Sequence, residues 1–445
     1  MIKINTKTVF WKLLKSLANL KLALLILFTI SCFCIIGSVI EQDQNKIYYI
    51  TNYGLYGYII IFCGLDHLFK NWWFIAILSI LVANLTSCSL VTQLPSLKNA
   101  RRWKFIHSGK NSNRISFKSR SSCNSNYIST NIVYSLLRLN FLVFRRGSSI
   151  YSYKGLYGRI APIFVHVSII LILFGSVYGL LFSFVLQEMV PVGEMFHFKN
   201  IVYSGYYSNV NTELYAHLDN FYIDYSDKNL INQFFSNLSV YLRNKRLISY
   251  SWLSVNHPLC IKKITFYQTD WEMTGLRIKL GDQYFLQKKL AKQIKNNNLA
   301  WATDFYIASH KKVLILSTKL NNKVLILNPD ASILQEVSLG QRFYLNSVPI
   351  SIEKVIPSTG LQVKFDPGVP LVYLGFFSMI VSTFVSYLSY SQVWIYIAVD
   401  SLEFAGSTNR SVLFFEQDVV FIDKLYVYYL YYLPSHICLL DKTLR

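Results

Sequence analysis

Four long apolar stretches constrain this chain more than any other feature of its sequence. They cover residues 22–40, 72–90, 160–186 and 369 to about 394, with polar segments between them. A helix needs about 20 apolar residues to cross the hydrocarbon core of a bilayer, and each stretch approaches or exceeds that length. Charged residues make up only 15% of the chain, which is low for a soluble protein. The sequence therefore predicts four transmembrane helices.

A secretory signal peptide is an alternative interpretation of the first stretch. Such a peptide has a shorter apolar core, of roughly 7–15 residues, which ends at a cleavage site made of small residues. The residues from Cys34 to Ile40 offer no good site of that kind. We therefore predict an uncleaved spanning helix.

The basic residues predict how the chain is oriented. The formal net charge is +21, and residues 1–21 and 92–158 contain five and twelve basic residues respectively, with no carboxylate in either segment. Positively charged loops stay on the cytoplasmic side of a membrane, which corresponds to the stromal side in a plastid. Residues 41–71 and 187–368 are then predicted on the opposite side. Because the basic segments lie beside apolar stretches and lack a nucleic-acid-binding motif, they favour membrane lipid over nucleic acid as a partner.

Residues 187–368 are numerous enough to bury a core of their own. Short runs of β-branched and aromatic residues, such as 313–316 and 323–327, alternate with polar turn signals, which is typical of strands. The predicted fold class is an α-helical integral membrane protein with four transmembrane helices and a large mostly-β soluble domain between helices three and four. The predicted divisions are 1–91 with the first two helices, a basic loop 92–158, the third helix 159–186, the β domain 187–368, the fourth helix 369–394 and a tail 395–445.

His166 is the main candidate functional residue. Cysteine and tyrosine aside, it is the only ionisable residue in the interior of the four apolar stretches, and such residues usually serve a site. An apolar environment favours the neutral imidazole, which can ligate a metal or haem iron. Gly175 and Gly179, spaced as G-x-x-x-G, lie on the other side of the same helix. We expect the glycines to pack within this chain and the histidine to face a partner or cofactor; the alternative is that both faces pack within the chain.

The remaining histidines and the cysteines carry weaker signals. His67 lies just before the second apolar stretch, and His257 lies in a predicted turn. Surface positions are predicted for His107, His197, His217, His310 and His436. The seven cysteines contain no C-x-x-C pair, and a bond between Cys63 and Cys260 stays open. No hydrolase or ATPase motif is found, so the sequence predicts no catalytic residue and no metal cluster.

Several motifs resemble the ResB family of cytochrome c assembly System II, whose members are also called CcsB. They follow one another at residues 17–23, 37–42, 64–67, 72–74, 158–159 with 166, 256–259, 267–271, 359–364 and 366–370. Residues after 394 carry no motif that we recognise. The motifs extend over most of the chain, and together they are more specific than any one of them.

The resemblance implies a subunit that is inactive alone and that belongs to a haem lyase, the cytochrome c synthase complex. Its partner would be a multispan haem-handling protein of the CcsA type. The pair would carry haem across the membrane and attach it covalently to apocytochrome c. The family's haem-ligating intramembrane histidine falls on His166, with His67 and His257 as lesser candidates for contact with haem. The composition and the absence of a transit peptide predict a plastid-encoded protein of the thylakoid membrane, with a stromal N-terminus and a lumenal β domain.

Two other functions stay open. A small-solute transporter should show repeated halves and broken helices near the membrane midplane, and the sequence shows neither. A membrane-anchored scaffold or chaperone for the haem-handling partner would use His166 only for packing. A Soret absorption band in the purified protein with its partner distinguishes a haem carrier from a scaffold.

Overall fold

The structure is a computed structural model, and it describes residues 6–105, 128–210, 213–226, 231–243, 245–281, 283–295, 298–308, 311–317, 320, 323–328, 332–345, 348–397 and 402–432. The chain forms two compact units. The first, here called the helical unit, comprises Met1–Val177 and Pro370–Arg445. The second, here called the β unit, comprises Tyr178–Val369.

The helices in chain order are α1 (Thr6–Leu17), α2 (Leu20–Val39), α3 (Lys46–Tyr53), α4 (Leu55–Cys63), a 3₁₀ helix (Leu65–Lys70), α5 (Trp72–Cys88), a π-helical turn (Ser89–Gln93), α6 (Leu94–Ala100), α7 (Ile128–Arg138), α8 (Tyr157–Phe182), α9 (Val369–Ser386) and α10 (Val412–Tyr432).

The strands in chain order are β1 (Leu142–Arg146), β2 (Ser149–Lys154), β3 (Phe184–Pro191), β4 (Met195–His197), β5 (Ile201–Ser204), β6 (Leu214–Tyr225), β7 (Ile231–Leu242), β8 (Lys245–Ser254), β9 (Leu259–Ile261), β10 (Ile264–Leu280), β11 (Tyr284–Lys289), β12 (Ala291–Lys295), β13 (Asn298–Ala308), β14 (Lys311–Ser317), β15 (Lys323–Leu327), β16 (Ile333–Ser338), β17 (Arg342–Leu345), β18 (Val348–Phe365), β19 (Ser391–Ile397) and β20 (Leu402–Thr408).

Four helices in the described part of the chain are long and apolar enough to cross a membrane. They are Leu20–Val39, Trp72–Ala100, Tyr157–Phe182 and Val369–Ser386. All four overlap the predicted stretches, and such helices are typical of a membrane protein. The helix α10 has 21 residues but carries Glu416, Asp418, Asp423 and Lys424.

The bounds of three candidate spans differ from the prediction. The second continues past residue 90 to Ala100, and the third ends at Phe182, because Phe184 already belongs to strand β3. The fourth ends at Ser386 rather than near residue 394, because residues 391–397 form strand β19. Apolar character alone does not distinguish a helix end from an adjoining buried strand, which explains the error.

The candidate spans pack through apolar and glycine contacts. Ile26 of α2, Leu81 and Leu85 of α5, and Ile170 and Leu173 of α8 belong to one apolar cluster. On another side of α8, the glycines of two helices allow close approach. A Cβ added to Gly175 would lie 3.0 Å from Leu371, and one added to Gly375 would lie 2.6 Å from Ile172. Small residues bring helix backbones together in this way, and the predicted packing of Gly175 within the chain is confirmed.

The predicted basic loop and the predicted tail fold together in the helical unit. Strands β1 and β2 come from the loop, β19 and β20 follow α9, and the four form one antiparallel sheet in the order β1-β2-β19-β20. Tyr153 pairs with Gln392 and Ser152 with Val393. Side chains of α7 and α10, including Ile132 and Ile422, share a buried core with this sheet. The predicted loop and tail therefore contain folded elements, and the apolar faces of these elements pack against each other.

The β unit contains two cores on one long sheet. Its central strands β10 and β18 pair along almost their whole length, next to β3 and β11. One half of this sheet packs through Phe266 and Val363 against the sheet β4-β6-β7-β8. The other half packs through Leu276 and Ile352 against the sheet β12-β13-β14-β15-β16, around Trp301. The predicted mostly-β region between helices three and four is thus present.

Candidate functional site

Several of the motifs that resemble the ResB family have structural roles. The amide nitrogen of Gln42 donates to the carbonyl of Leu65 (3.0 Å), and its oxygen accepts from the N–H of Leu68 (2.9 Å). These bonds hold the segment after α2 against the 3₁₀ helix. In the β unit, Gln268 of β10 donates to Thr359 of β18 (3.1 Å) in a buried position. Neither pair brings together groups that would do chemistry.

The second candidate span changes its helical geometry near its end. In the π-helical turn, the N–H of Leu94 donates to the carbonyl of Ser89. Pro95 follows, and in regular α geometry its ring would clash with the carbonyl four residues earlier. The wider turn accommodates the proline. Such turns occur frequently at functional sites, and this one presents Ser89 and Gln93 to a neighbouring helix.

The ring of His166, on α8, faces this turn. Its Nδ1 lies 3.3 Å from the carbonyl oxygen of Leu85 and 3.0 Å from Oγ of Ser89. Its Nε2 lies 3.2 Å from the amide nitrogen of Gln93. The side chain is half-buried. Both ring nitrogens are therefore partnered within this chain, as in the alternative that both faces of the helix pack within the chain.

These contacts determine which ring nitrogen carries the proton. A carbonyl only accepts, so Nδ1 donates to Leu85, whereas the amide nitrogen of Gln93 only donates, so Nε2 accepts. One neutral tautomer satisfies both bonds. In histidines that bind metals, a carbonyl or carboxylate commonly holds one ring N–H while the other nitrogen binds the metal. His166 has this arrangement, with the Gln93 amide at the position that a metal would take.

The lesser candidates lie elsewhere. His67 belongs to the 3₁₀ helix before α5, its Nδ1 lies 2.7 Å from Asp66, and half of its side chain is exposed. Since His67 and Ser89 flank α5 at opposite ends, about 25 Å of helix separates them. His257 is exposed in a tight turn of the β unit, where its backbone N–H donates to Ser254 (3.0 Å). His67 is therefore not assembled with His166 into one site.

Two further histidines test the predicted surface positions. His197 is exposed, as predicted. His217 is not fully exposed, because its Nδ1 lies 2.7 Å from Asp219 and only 25% of its side chain is accessible. Ser239 donates to the same carboxylate (2.5 Å) rather than to the imidazole, so the three residues do not form a nucleophile–base pair. The remaining surface positions were predicted for residues outside the described part of the chain: His107, His310 and His436. Cys63 and Cys260 are free and exposed.

Sequence reasoning found His166 but missed the groups that hold it. Ser89 and Gln93 are polar residues at the end of an apolar stretch and just before Pro95, which is the signal that could have identified the turn. The carbonyl of Leu85 has no such signal, because any residue type supplies a carbonyl.

The fold and the site define a class of protein: a chain with four candidate spans, a β-rich unit and a hydrogen-bonded histidine on the third span. The ResB-like family profile matches residues 20–326 and 316–419, which cover most of the chain. The chain therefore belongs to the ResB-like family. The match reaches past residue 394, so the family extends into the segment in which no motif was recognised.

Individual relatives cover nearly the whole chain. A cytochrome c biogenesis protein Ccs1 from Gracilaria tenuistipitata var. liui is 37% identical over 96% of this chain and 99% of its own length. The Ccs1 protein of Porphyra purpurea is 39% identical over 95% of this chain and 98% of its own. A cytochrome c biogenesis protein CcsB from Microcystis aeruginosa is 34% identical over 92% of this chain and 94% of its own.

Proposed function

We propose that this chain is the haem-handling ResB subunit of a System II cytochrome c synthase in a plastid thylakoid membrane. The relatives named for cytochrome c biogenesis support the general role. The subunit works with a CcsA-type multispan partner, receives haem on the stromal side and presents it for covalent attachment to apocytochrome c. It supplies a binding site rather than catalytic groups.

The observation that carries the proposal is the hydrogen bonding of the His166 ring. Because the Leu85 carbonyl holds Nδ1–H, the lone pair that would bind iron lies on Nε2. Gln93 is a neutral amide and forms a single hydrogen bond to that atom. The Gln93 amide would give up this one hydrogen bond to the ring, of order 1 kcal/mol, if Nε2 held haem iron, whereas the Nδ1 contact could persist. A second ligand would come from the partner.

The rival function is a scaffold with a structural histidine. The same hydrogen bonds also favour this function, since both ring nitrogens of His166 already have partners within the chain. The two functions predict different effects on haem binding when the Gln93 side chain is removed.

We expect Gln93→Ala to tighten haem binding by roughly two- to tenfold, because it removes the group that competes with iron for Nε2. The measurement is a haem titration of the purified full-length protein with its partner, followed by the Soret band. Thr86→Ala is the matched control, since Thr86 lies on α5 and, among the described residues, its hydroxyl bonds only backbone carbonyls of its own helix. Unchanged or weaker haem binding in Gln93→Ala would favour the scaffold.

The proposed topology places the N-terminus in the stroma and the β unit in the lumen. Pairing of β2 with β19 supports part of this arrangement, because it requires both strands to lie in one compartment. The two candidate spans α8 and α9 lie between these strands, and two crossings return the chain to the same side. The basic residues of segment 92–158 favour the stroma for that side.

Cysteine labelling tests this topology. We expect a membrane-impermeant maleimide to label a variant that retains only Cys260, in the β unit, when the reagent is applied to the lumenal face of sealed thylakoid vesicles. A variant that retains only Cys123, in the basic segment, should be labelled only from the stromal face. Labelling of both variants from the same face would contradict the proposed topology.

A further inference from the structure

A polar cavity of about 370 Å³ lies in the helical unit, between α6, the start of α8 and strand β19. Arg159 and Lys104 are the two cationic residues in its lining. Thr92, Asn99 and Gln392 add hydroxyl and amide groups, and the lining contains no Asp or Glu. The cavity is therefore positively charged and lined largely by polar side chains.

Arg159 has donors that the described residues leave unused. Its guanidinium donates through one terminal nitrogen to Oγ of Ser96 (3.3 Å) and stacks on the ring of Tyr390, 5.2 Å from the ring centroid. Its Nε is buried and has no hydrogen-bond partner among the described residues. In that part of the chain, neither Arg159 nor Lys104 forms an ion pair. A buried charged donor without an acceptor is costly, so an anionic ligand would stabilise it.

The surroundings keep the cavity free of negative charge. Residues 67–187 contain no Asp or Glu, so the whole stretch from the second candidate span to the third supplies no carboxylate. The carboxylate of Asp418, on α10, lies outside the lining and pairs with Lys154 (3.1 Å). Burial raises the pKa of Tyr151, which accepts a hydrogen bond from Gln392 (2.8 Å), so that phenol stays neutral at physiological pH.

Two glycines around the start of α8 bring the segment before Tyr390, a lining residue, close to this helix. A Cβ added to Gly155 would lie 2.0 Å from the carbonyl oxygen of Ser389, and one added to Gly158 would lie 2.0 Å from that of Leu388. Only glycine permits this approach, which places Tyr390 beneath Arg159. The hydroxyl of Tyr390 donates to the carbonyl of Ala100 (2.7 Å), which fixes the ring in turn. Packing and this hydrogen bond thus hold the Tyr390 ring at the cavity.

Arg159 and His166 share one face of α8. Seven residues correspond to two helical turns, so the two side chains are separated by about 10 Å along the helix axis and point in nearly the same direction. A flat amphiphile with acidic groups on one edge could place those groups near Arg159 and its apolar ring near His166. Haem has this distribution, with two propionate carboxylates on one edge.

We propose that the cavity at Arg159 and Lys104 binds the propionate carboxylates of haem when His166 binds its iron. The proposal rests on the proposed function and adds a second contact point to the same site. An anionic lipid phosphate has the same chemistry, and its occupation of the cavity in place of haem carboxylates would overturn the proposal.

The test is a titration of the full-length protein with its partner, in phosphatidylcholine nanodiscs, with haem and with haem dimethyl ester, which lacks the acidic groups. We expect haem to bind roughly tenfold more tightly than the ester, as two charge-assisted hydrogen bonds allow. Arg159→Gln and, separately, Lys104→Gln should weaken the binding of haem by several-fold and leave the binding of the ester unchanged. Arg102→Gln is the matched control, because Arg102 is an exposed cation in the same segment and lies outside the cavity lining.

The outcomes separate the two proposals. If neither haem nor the ester binds the wild-type protein, the proposed function fails. If both bind equally and the Arg159 and Lys104 variants match the wild type, haem is carried but the propionate site is wrong. A repeat with phosphatidylglycerol in the nanodiscs tests for a lipid site. The proposal would be overturned if Arg159→Gln lost co-purified phosphatidylglycerol while the wild-type protein bound haem and the ester with equal affinity. Lys104 is exposed, so its variant keeps the test valid if Arg159→Gln fails to fold.

Discussion

His166→Ala should abolish the Soret band of the purified complex and stop the accumulation of mature cytochrome c. The alanine removes the Nε2 atom that is proposed to bind iron, and the contacting groups Leu85, Ser89 and Gln93 offer no other ligand of comparable strength. Absorption spectroscopy of the complex and haem staining of cytochrome c in cell extracts measure the two effects. Unchanged haem content in the variant would refute the ligand role.

Controls separate this effect from a general loss of structure. His67→Ala and His257→Ala should retain the Soret band, because both side chains are exposed and neither belongs to the site at the π-helical turn. The His166 variant itself loses hydrogen bonds of a half-buried ring, which should cost about 1–2 kcal/mol of stability and leave the chain folded. Size-exclusion chromatography and circular dichroism check that point.

Trp301→Ala should destabilise the β unit by about 3–5 kcal/mol, a large share of the total stability of a typical domain. Trp301 is only 1% exposed, lies in the core between the long sheet and the sheet β12-β13-β14-β15-β16, and has its ring centroid 5.0 Å from that of Trp271. The alanine leaves a cavity that rigid strands on both sides cannot fill. Limited proteolysis of the full-length protein at rising urea concentration measures the loss.

Trp252→Ala is the matched control, because Trp252 lies in the same unit but is 55% exposed. It should shift the midpoint of proteolysis little. The Soret band gives a second readout in both variants. Since every described contact of His166 comes from the helical unit, we expect Trp301→Ala to retain haem while cytochrome c maturation falls. Equal sensitivity of the two tryptophan variants to urea would contradict the described core.

The sequence predicts the main parts of the fold because each has a local signal. Four apolar stretches identify the candidate spans, and alternating residues such as those of 313–316 identify strands. The sheet β1-β2-β19-β20 has no local signal, since Tyr153 and Gln392 are neighbours only after the intervening spans and the β unit are in place. The fourth span was predicted too long for the same reason, because Trp394 is apolar but belongs to this sheet.

The candidate site was predicted only in part. His166 stands out in the sequence because an imidazole is rare within an apolar helix. Its partners could not be predicted, because they depend on the π-helical turn before Pro95 and on how α5 and α8 face each other. Whether a histidine is free or partnered is a property of such packing and not of residue spacing.

The central claim is that Nε2 of His166 binds haem iron in place of the Gln93 amide. A structure of the haem-loaded complex with its partner tests it most directly. The account predicts iron bonded to Nε2, with Nδ1 still hydrogen-bonded to the Leu85 carbonyl and the Gln93 side chain displaced. Haem bound elsewhere, with the imidazole still joined to both Leu85 and Gln93, would contradict it.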